Sequence, residues 1–140
     1  MRLAILPFIT ILFLSSCATY TMTPEQLIVQ LKRARPDTVG VRGGGLLLSV
    51  DRDYKINGIG DIVCQDKNGK TISITNNPNV ECRITDKKNK RHLFYFDTIN
   101  LEDSVIKGCN SRFLHTMKSV KIADIQKVEL QDAKKAFSYN

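Results

Sequence analysis

Cysteine and histidine are the residue types in this 140-residue chain with the greatest capacity for chemistry. The cysteines are widely spaced, at Cys17, Cys64, Cys82 and Cys109. His92 and His115 show neither the CxxC nor the HxxxH spacing that zinc sites use. The spacing therefore predicts no metal site and no cofactor.

A nucleophile with a nearby base is the next arrangement to consider. The cluster that comes nearest to it is Cys109-Asn110-Ser111 followed by His115. No segment has the G-x-S-x-G context of a nucleophile elbow, and a turn led by Gly108 accounts for the cluster as a loop. We therefore predict no catalytic residue and no enzymatic activity. A Cys-dependent hydrolase using Cys109 and His115 is the less favoured alternative.

Cys17 ends a segment that has the parts of a secretion signal. Arg2 supplies the positive start, and the run from Ala4 to Leu14 is mostly apolar. That run falls short of the roughly 20 residues a helix needs to span a bilayer. Small residues, Ser15 and Ser16, then precede the cysteine. The pattern predicts a targeting segment and no stable transmembrane helix.

The sequence Leu14-Ser15-Ser16-Cys17 resembles the lipobox of bacterial lipoproteins. The resemblance implies that residues 1–16 are a signal peptide cleaved between Ser16 and Cys17, and that the Cys17 thiol carries a diacylglyceryl group. Membrane lipid is then a partner, because each buried methylene contributes about 0.8 kcal/mol and several acyl chains, such as palmitate, anchor a protein stably. A soluble secreted protein whose signal happens to end beside a cysteine is the alternative.

The residues after Cys17 bear on localisation. Ala18 stands where an Asp would resemble the inner-membrane retention signal of enteric lipoproteins, and residues 18–22 contain no acidic cluster of the kind that resembles a surface-export tag. The resemblance therefore implies the bacterial cell envelope, at the outer membrane and facing the periplasm.

Three cysteines remain after lipidation. In an oxidising envelope, Cys64, Cys82 and Cys109 favour one disulfide and one odd thiol. Cys64 and Cys82 are the preferred pair because both lie in predicted strands of neighbouring hairpins, and such a bridge contributes about 3 kcal/mol. Three buried, unpaired cysteines that pack as small apolar residues are the alternative.

The strongest local charge feature surrounds one predicted hairpin tip. Its five cations are Arg83, Lys87, Lys88, Lys90 and Arg91. They are candidates for contact with a polyanion or partner: lipid headgroups if the tip faces the bilayer, an acidic envelope protein or an anionic glycan if it faces outward. The alternative is a solvated turn that discourages edge-strand aggregation. No specific nucleic-acid partner is predicted, and the sequence leaves open whether a small molecule binds.

Net charge agrees with such contacts without identifying one. Only Arg2 of the 21 basic residues precedes Cys17 and all 14 acidic residues follow it, which leaves a net charge of +6 on residues 17–140. Long-range attraction to any polyanion is non-specific.

The elements that position these residues follow from periodicity. Residues 17–23 are predicted to be a lipidated tether. Thr23 as N-cap, Pro24 at the first helical position and Gln26 three residues after Thr23 predict a helix over about 24–34. Short runs rich in Val, Ile and aromatic residues then predict strands, one of them over Ile99 to Lys107, with Asn68-Gly69 as the clearest hairpin turn.

These elements predict a mainly β protein: a small antiparallel β-barrel or sandwich with one N-terminal helix, α+β overall. Residues 24–130 form the single domain and residues 131–140 a tail. Residues 80–130 resemble the small SH3-like or Sm-like barrels of bacterial lipoproteins, through consecutive hairpins and a closing strand, helical turn and strand. In one strand of these hairpins, Phe94 and Phe96 are predicted to face the core.

Together these features predict a membrane-anchored, non-enzymatic binding or scaffolding module of the envelope. An inhibitor or accessory factor of an envelope enzyme is the alternative. The chain lacks the Ser-Gly-x-x-Tyr loop in which small lysozyme inhibitors resemble one another.

Overall fold

The computed structural model describes residues 18–45, 48–132 and 139. The strands are β1 (Thr19–Met22), β2 (Asp37–Gly45), β3 (Leu48–Ile56), β4 (Asp61–Gln65), β5 (Thr71–Thr75), β6 (Val80–Asp86), β7 (Arg91–Tyr95), β8 (Asn100–Glu102), β9 (Val105–Ser111), β10 (Thr116–Lys121) and β11 (Ile125–Asp132). The α-helix α1 spans Pro24–Arg33, and short 3-10 helices span Phe96–Thr98 and Ile122–Asp124. The predicted mainly β class with one helix near its N-terminal side is confirmed.

Helix α1 begins where the sequence predicts. The Thr23 hydroxyl accepts the Gln26 backbone N–H at 3.1 Å, and the Gln26 side chain accepts the Thr23 backbone N–H at 2.9 Å. This reciprocal capping box satisfies two helix N–H groups that have no intrahelical partner. Leu27 and Leu31, one turn apart, are buried and hold the helix on the core.

All the strand pairs are antiparallel. The main sheet has the order β5-β4-β1-β11-β6-β7, a second sheet has the order β10-β9-β8, and β2 pairs with β3. The described strands therefore form three sheets, not the closed barrel that the resemblance implies for residues 80–130. The final strand, 3-10 helix and strand at residues 116–132 do follow the predicted order.

The residues expected to form a tether include a central strand. β1 lies between β4 and β11, with Thr19 opposite Gln131 and Met22 opposite Val128. Side chains two residues apart in a strand point to the same face of the sheet. Tyr20 and Met22 both face the core, and Met22 is buried there. A run of four residues is too short for its periodicity to distinguish a strand from a linker. The pairing with β11 shows that these residues form a strand.

Two predicted hairpins are confirmed. Gly69 has φ +76°, the left-handed conformation that the turn between β4 and β5 requires. In the β6–β7 hairpin, Phe94 is fully buried, as is Phe96 just beyond it, whereas Leu93 is exposed, as the alternation predicts. The segment 99–107, expected as one strand, is instead divided by a turn at Asp103, which has φ +52°.

Candidate functional site

The main sheet has two ends, which we name from the start of β1. At the proximal end Thr19, Gln131, Glu81 and Tyr95 lie in one row across β1, β11, β6 and β7. At the distal end Asp86 pairs with Ile125, and the β6–β7 turn follows. Glu81 and Asp86 are five residue steps apart along β6, so the two rows are separated by about 17 Å at 3.3 Å per step.

The lipobox residues come just before the proximal end of the sheet in the sequence. Ser16 and Cys17 are outside the described residues, but β1 begins at Thr19, two residues after Cys17. Two residues of fully extended chain span at most about 7 Å. If the Cys17 thiol carries a lipid, chain length therefore requires that lipid to be close to the proximal end. No helix in the described ranges has the length and apolar character needed to cross a bilayer.

The basic hairpin lies at the opposite end. Lys87, Lys88, Lys90 and Arg91 are exposed around the distal β6–β7 turn. Arg83, the fifth predicted contact residue, lies farther back on β6, where its guanidinium is 3.7 Å from the Glu81 carboxylate. The structure thus brings four of the five predicted cations together.

Asp86 organises this distal turn. One of its carboxylate oxygens accepts the backbone N–H groups of Lys88 and Lys90, each at 2.9 Å, and the other lies 2.9 Å from His92 Nε2. The hydrogen bond with His92 is the main cause that lowers the pKa of Asp86 below its ordinary value, and the backbone N–H groups add to it.

The proximal turn between β4 and β5 is built in the same way. An Asp66 carboxylate oxygen accepts the backbone N–H groups of Asn68 at 2.8 Å and Lys70 at 3.0 Å. Lys67 and Lys70 are exposed, as Lys87 and Lys90 are at the distal end. The two turns therefore provide matched positions at opposite ends of one sheet.

The expected disulfide is contradicted by the structure. Cys64, Cys82 and Cys109 are free and buried. Cys64 on β4 and Cys82 on β6 are three strands apart, about 14 Å across the sheet, whereas bridged cysteines need Cα atoms within about 7 Å. Burial raises the pKa of all three thiols, which favours the neutral form.

Arg112 lies at the centre of a buried cluster that the sequence did not predict. Its guanidinium donates to Asp97 Oδ1 at 2.8 Å and to the Pro78 carbonyl at 3.0 Å. The Tyr139 hydroxyl accepts from Arg112 at 2.9 Å and donates to the other Asp97 oxygen. Tyr139, in the segment expected to be a tail, is thus tied to the domain.

Aromatic rings enclose the same guanidinium. Three of the chain's four tyrosines surround Arg112, with ring centroids 4.4 Å (Tyr95), 5.3 Å (Tyr139) and 5.4 Å (Tyr54) from its Cζ atom. These distances suit cation–π attraction. Since Tyr95 is in the proximal row and Pro78 lies just before β6, the cluster is at the proximal end. No local pattern could have indicated it, because its members come from five separate segments.

Burial dominates the electrostatics of the cluster. It raises the pKa of the Asp97 carboxyl above its ordinary value, although the Arg112 guanidinium acts in the opposite direction. Burial, and then the hydrogen bond to Asp97, raises the pKa of Tyr139. A side-chain exposure of 7% for both Asp97 and Arg112 makes this a buried ion pair, in which desolvation competes with Coulomb attraction.

Comparisons with protein-family models, curated proteins and solved structures find no match for this chain. Function must therefore be argued from its own geometry. The described ranges contain no group of three or more His, Cys, Asp or Glu side chains arranged to hold a metal ion.

A small cleft of about 230 Å³ adjoins the cluster. Tyr54, Asn100 and His115 are among its lining residues. The Asn100 amide donates to two backbone carbonyls while its Oδ1 atom is buried without a hydrogen-bond partner, as is His115 Nδ1. The His115 ring packs edge-on against Tyr54, at 4.8 Å between centroids. Cys109 is fully buried, and its raised pKa favours the protonated thiol. Cys109 is therefore not an activated nucleophile in this structure.

Proposed function

We propose that this chain is a lipoprotein of the bacterial envelope, anchored through Cys17 to the periplasmic face of the outer membrane, and that it acts as a non-enzymatic binding module. The observation that carries the proposal is the placement of the two candidate contacts at opposite ends of the sheet. The lipobox cysteine precedes the proximal end by two residues, and the exposed cations surround the distal turn.

This arrangement favours one of the two orientations that the sequence left open. A short connection keeps the proximal end at the bilayer, so the basic distal turn projects away from it. Lys87, Lys88, Lys90 and Arg91 then face the periplasm, where an anionic glycan such as peptidoglycan provides complementary charge. The buried Cys109 weighs against the alternative of a Cys-dependent hydrolase.

Intact mass of the protein extracted from membranes tests the anchor. We expect a product that begins at Cys17 and is heavier by a diacylglyceryl group, and an unlipidated product from the Cys17→Ala variant. An unmodified, soluble wild-type product would contradict the proposal.

Retention on isolated peptidoglycan tests the distal contact. The Lys87→Gln/Lys90→Gln variant is expected to lose retention because it removes two positive charges from the distal turn. Added salt is expected to weaken retention of the wild type because it screens the attraction between the lysines and the anionic glycan. The matched control is Lys67→Gln/Lys70→Gln, which removes equivalent lysines from the equivalent proximal turn. Equal loss in both variants would mean that net charge alone, not the distal turn, governs retention.

A further inference from the structure

Two exposed large apolar side chains are neighbours in the turn between β9 and β10. Phe113 is 90% exposed and Leu114 is 66% exposed. Met117, at the start of β10 on the same hairpin, is 42% exposed. Adjacent exposed apolar side chains are a common feature of protein and membrane interaction sites.

Hydrogen bonds connect the apolar tip, Phe113 and Leu114, to the rest of the domain. Arg112, directly before it, donates to Asp97 and Pro78, and the Arg112 carbonyl accepts the Tyr54 hydroxyl at 3.2 Å. The Leu114 backbone N–H donates to the Ser111 hydroxyl at 3.2 Å. A tip that is tied to the domain by these hydrogen bonds loses less conformational entropy when it contacts a partner.

The tip lies at the end of the molecule where the lipobox would place the bilayer. Arg112 contacts Tyr95, which shares the proximal row with Thr19. Three strand spacings separate Thr19 from Tyr95, or about 14 Å across the sheet. Exposed Lys67 and Lys70 lie at this same end, where cations suit anionic headgroups.

We propose that Phe113 and Leu114 insert into the lipid surface to which Cys17 anchors the chain. The inference rests on the proposed function, since the acylated cysteine is what brings this end to a membrane. The acylated cysteine and the apolar tip near β7 would be two separate contacts with the bilayer, which together would fix the orientation of the domain and direct its basic turn away from the membrane.

The chain contains no tryptophan, so a single introduced tryptophan reports its own surroundings. We would produce the full precursor as Phe113→Trp, purify the lipidated protein from membranes, and reconstitute it into phosphatidylethanolamine–phosphatidylglycerol vesicles with or without brominated acyl chains. The expected result is emission at a shorter wavelength than that of a water-exposed tryptophan, and loss of that emission in brominated vesicles.

The matched control is Lys88→Trp, an exposed position in the distal turn. Its emission is expected to stay at the wavelength of water-exposed tryptophan and to be unaffected by bromine. Leu114→Trp is the second test variant and should behave as Phe113→Trp does.

Intact mass, measured on the same samples, separates the two proposals. If the Phe113→Trp and Leu114→Trp proteins are lipidated and neither is quenched by bromine, tip insertion is overturned and the anchor stays in place. Shielding of these positions only in native envelope membranes would likewise overturn it and assign the tip to a protein partner. An unlipidated protein that does not associate with the vesicles would overturn the proposed function, and tip insertion with it.

Discussion

The two ends of the main sheet carry turns of closely similar construction in very different surroundings. Residues 66–70 and 86–90 each begin with Asp-Lys and end with Lys, and in each the Asp carboxylate accepts two backbone N–H groups. The end of the molecule that carries the proximal turn also has a buried ion pair and an exposed apolar tip, which lie near β7 on the other side of the sheet. The distal turn is solvated and basic. Local sequence therefore shapes a turn, whereas the fold determines what surrounds it.

The largest expected effect comes from breaking the proximal ion pair. Asp97→Ala leaves the Arg112 guanidinium buried without its carboxylate, which costs about 3 to 5 kcal/mol of unfolding free energy. Urea denaturation measures the loss. Glu102→Ala is the control, because the Glu102 pairs with Lys55 and Lys107 are exposed and contribute no more than about 1 kcal/mol. Similar losses in both variants would contradict the contrast between buried and exposed pairs.

Tyr139→Phe is expected to have the next largest effect. It removes a hydroxyl that bonds both Asp97 and Arg112, at a cost of about 1.5 to 3 kcal/mol for hydrogen bonds to charged groups. Combining it with Asp97→Asn in a double-mutant cycle should give a total loss smaller than the sum of the single losses, since the two groups share one network. Strict additivity would show that Tyr139 acts independently of Asp97.

The two ends should also respond to pH in opposite directions. Asp97 has a raised pKa in the folded protein, so the unfolded chain ionises it first and stability falls as the pH rises from the ordinary value of 3.8 to the raised value. Asp86 has a lowered pKa, so its contribution is present above 3.8 and is lost as the pH falls through the lowered value.

Asparagine variants separate these two contributions. In urea denaturation from about pH 3 to about pH 6, Asp97→Asn should remove the fall of stability with rising pH, and Asp86→Asn should remove the loss at the acid side. If the unfolding free energy of each variant differed from that of the wild type by the same amount at every pH, neither carboxyl group would be the source of the pH dependence.

The smallest expected effect is at the distal lysines. Lys87→Gln/Lys90→Gln should change the unfolding free energy by less than about 0.5 kcal/mol, because the side chains are exposed and the turn is held by Asp86 and the backbone. Thermal unfolding measures this directly. A large destabilisation would show that these lysines serve the fold, and would remove the basis for treating them as a contact surface.

Local patterns in the sequence predicted much of the fold. The capping box of Thr23 and Gln26, the Asn68-Gly69 turn and the core face of Phe94 depend on residues that are near neighbours in the chain, and all are found. The turn at Asp103 was missed because a two-residue turn between short apolar runs leaves their pattern continuous.

The pairing of distant segments was not accessible in the same way. A Cys64–Cys82 disulfide requires β4 and β6 to be neighbouring strands. In the main sheet, β1 and β11 lie between them. Arg112, Asp97 and Tyr139 have no sequence spacing that marks them as a cluster. Their association depends on how the turn after β9, the 3-10 helix after β7 and Tyr139 come together.

The sequence by itself determined the mainly β class, the helix start, the hairpin turns and the lipobox expectation at Cys17, since each depends on periodicity or on residues a few positions apart. Only the tertiary structure decided that residues 19–22 are a central strand, that the basic turn is distal to Cys17 and that Phe113 lies at the proximal end. The physical reason is that strand order and burial arise from contacts between segments far apart in the chain, which no local pattern specifies.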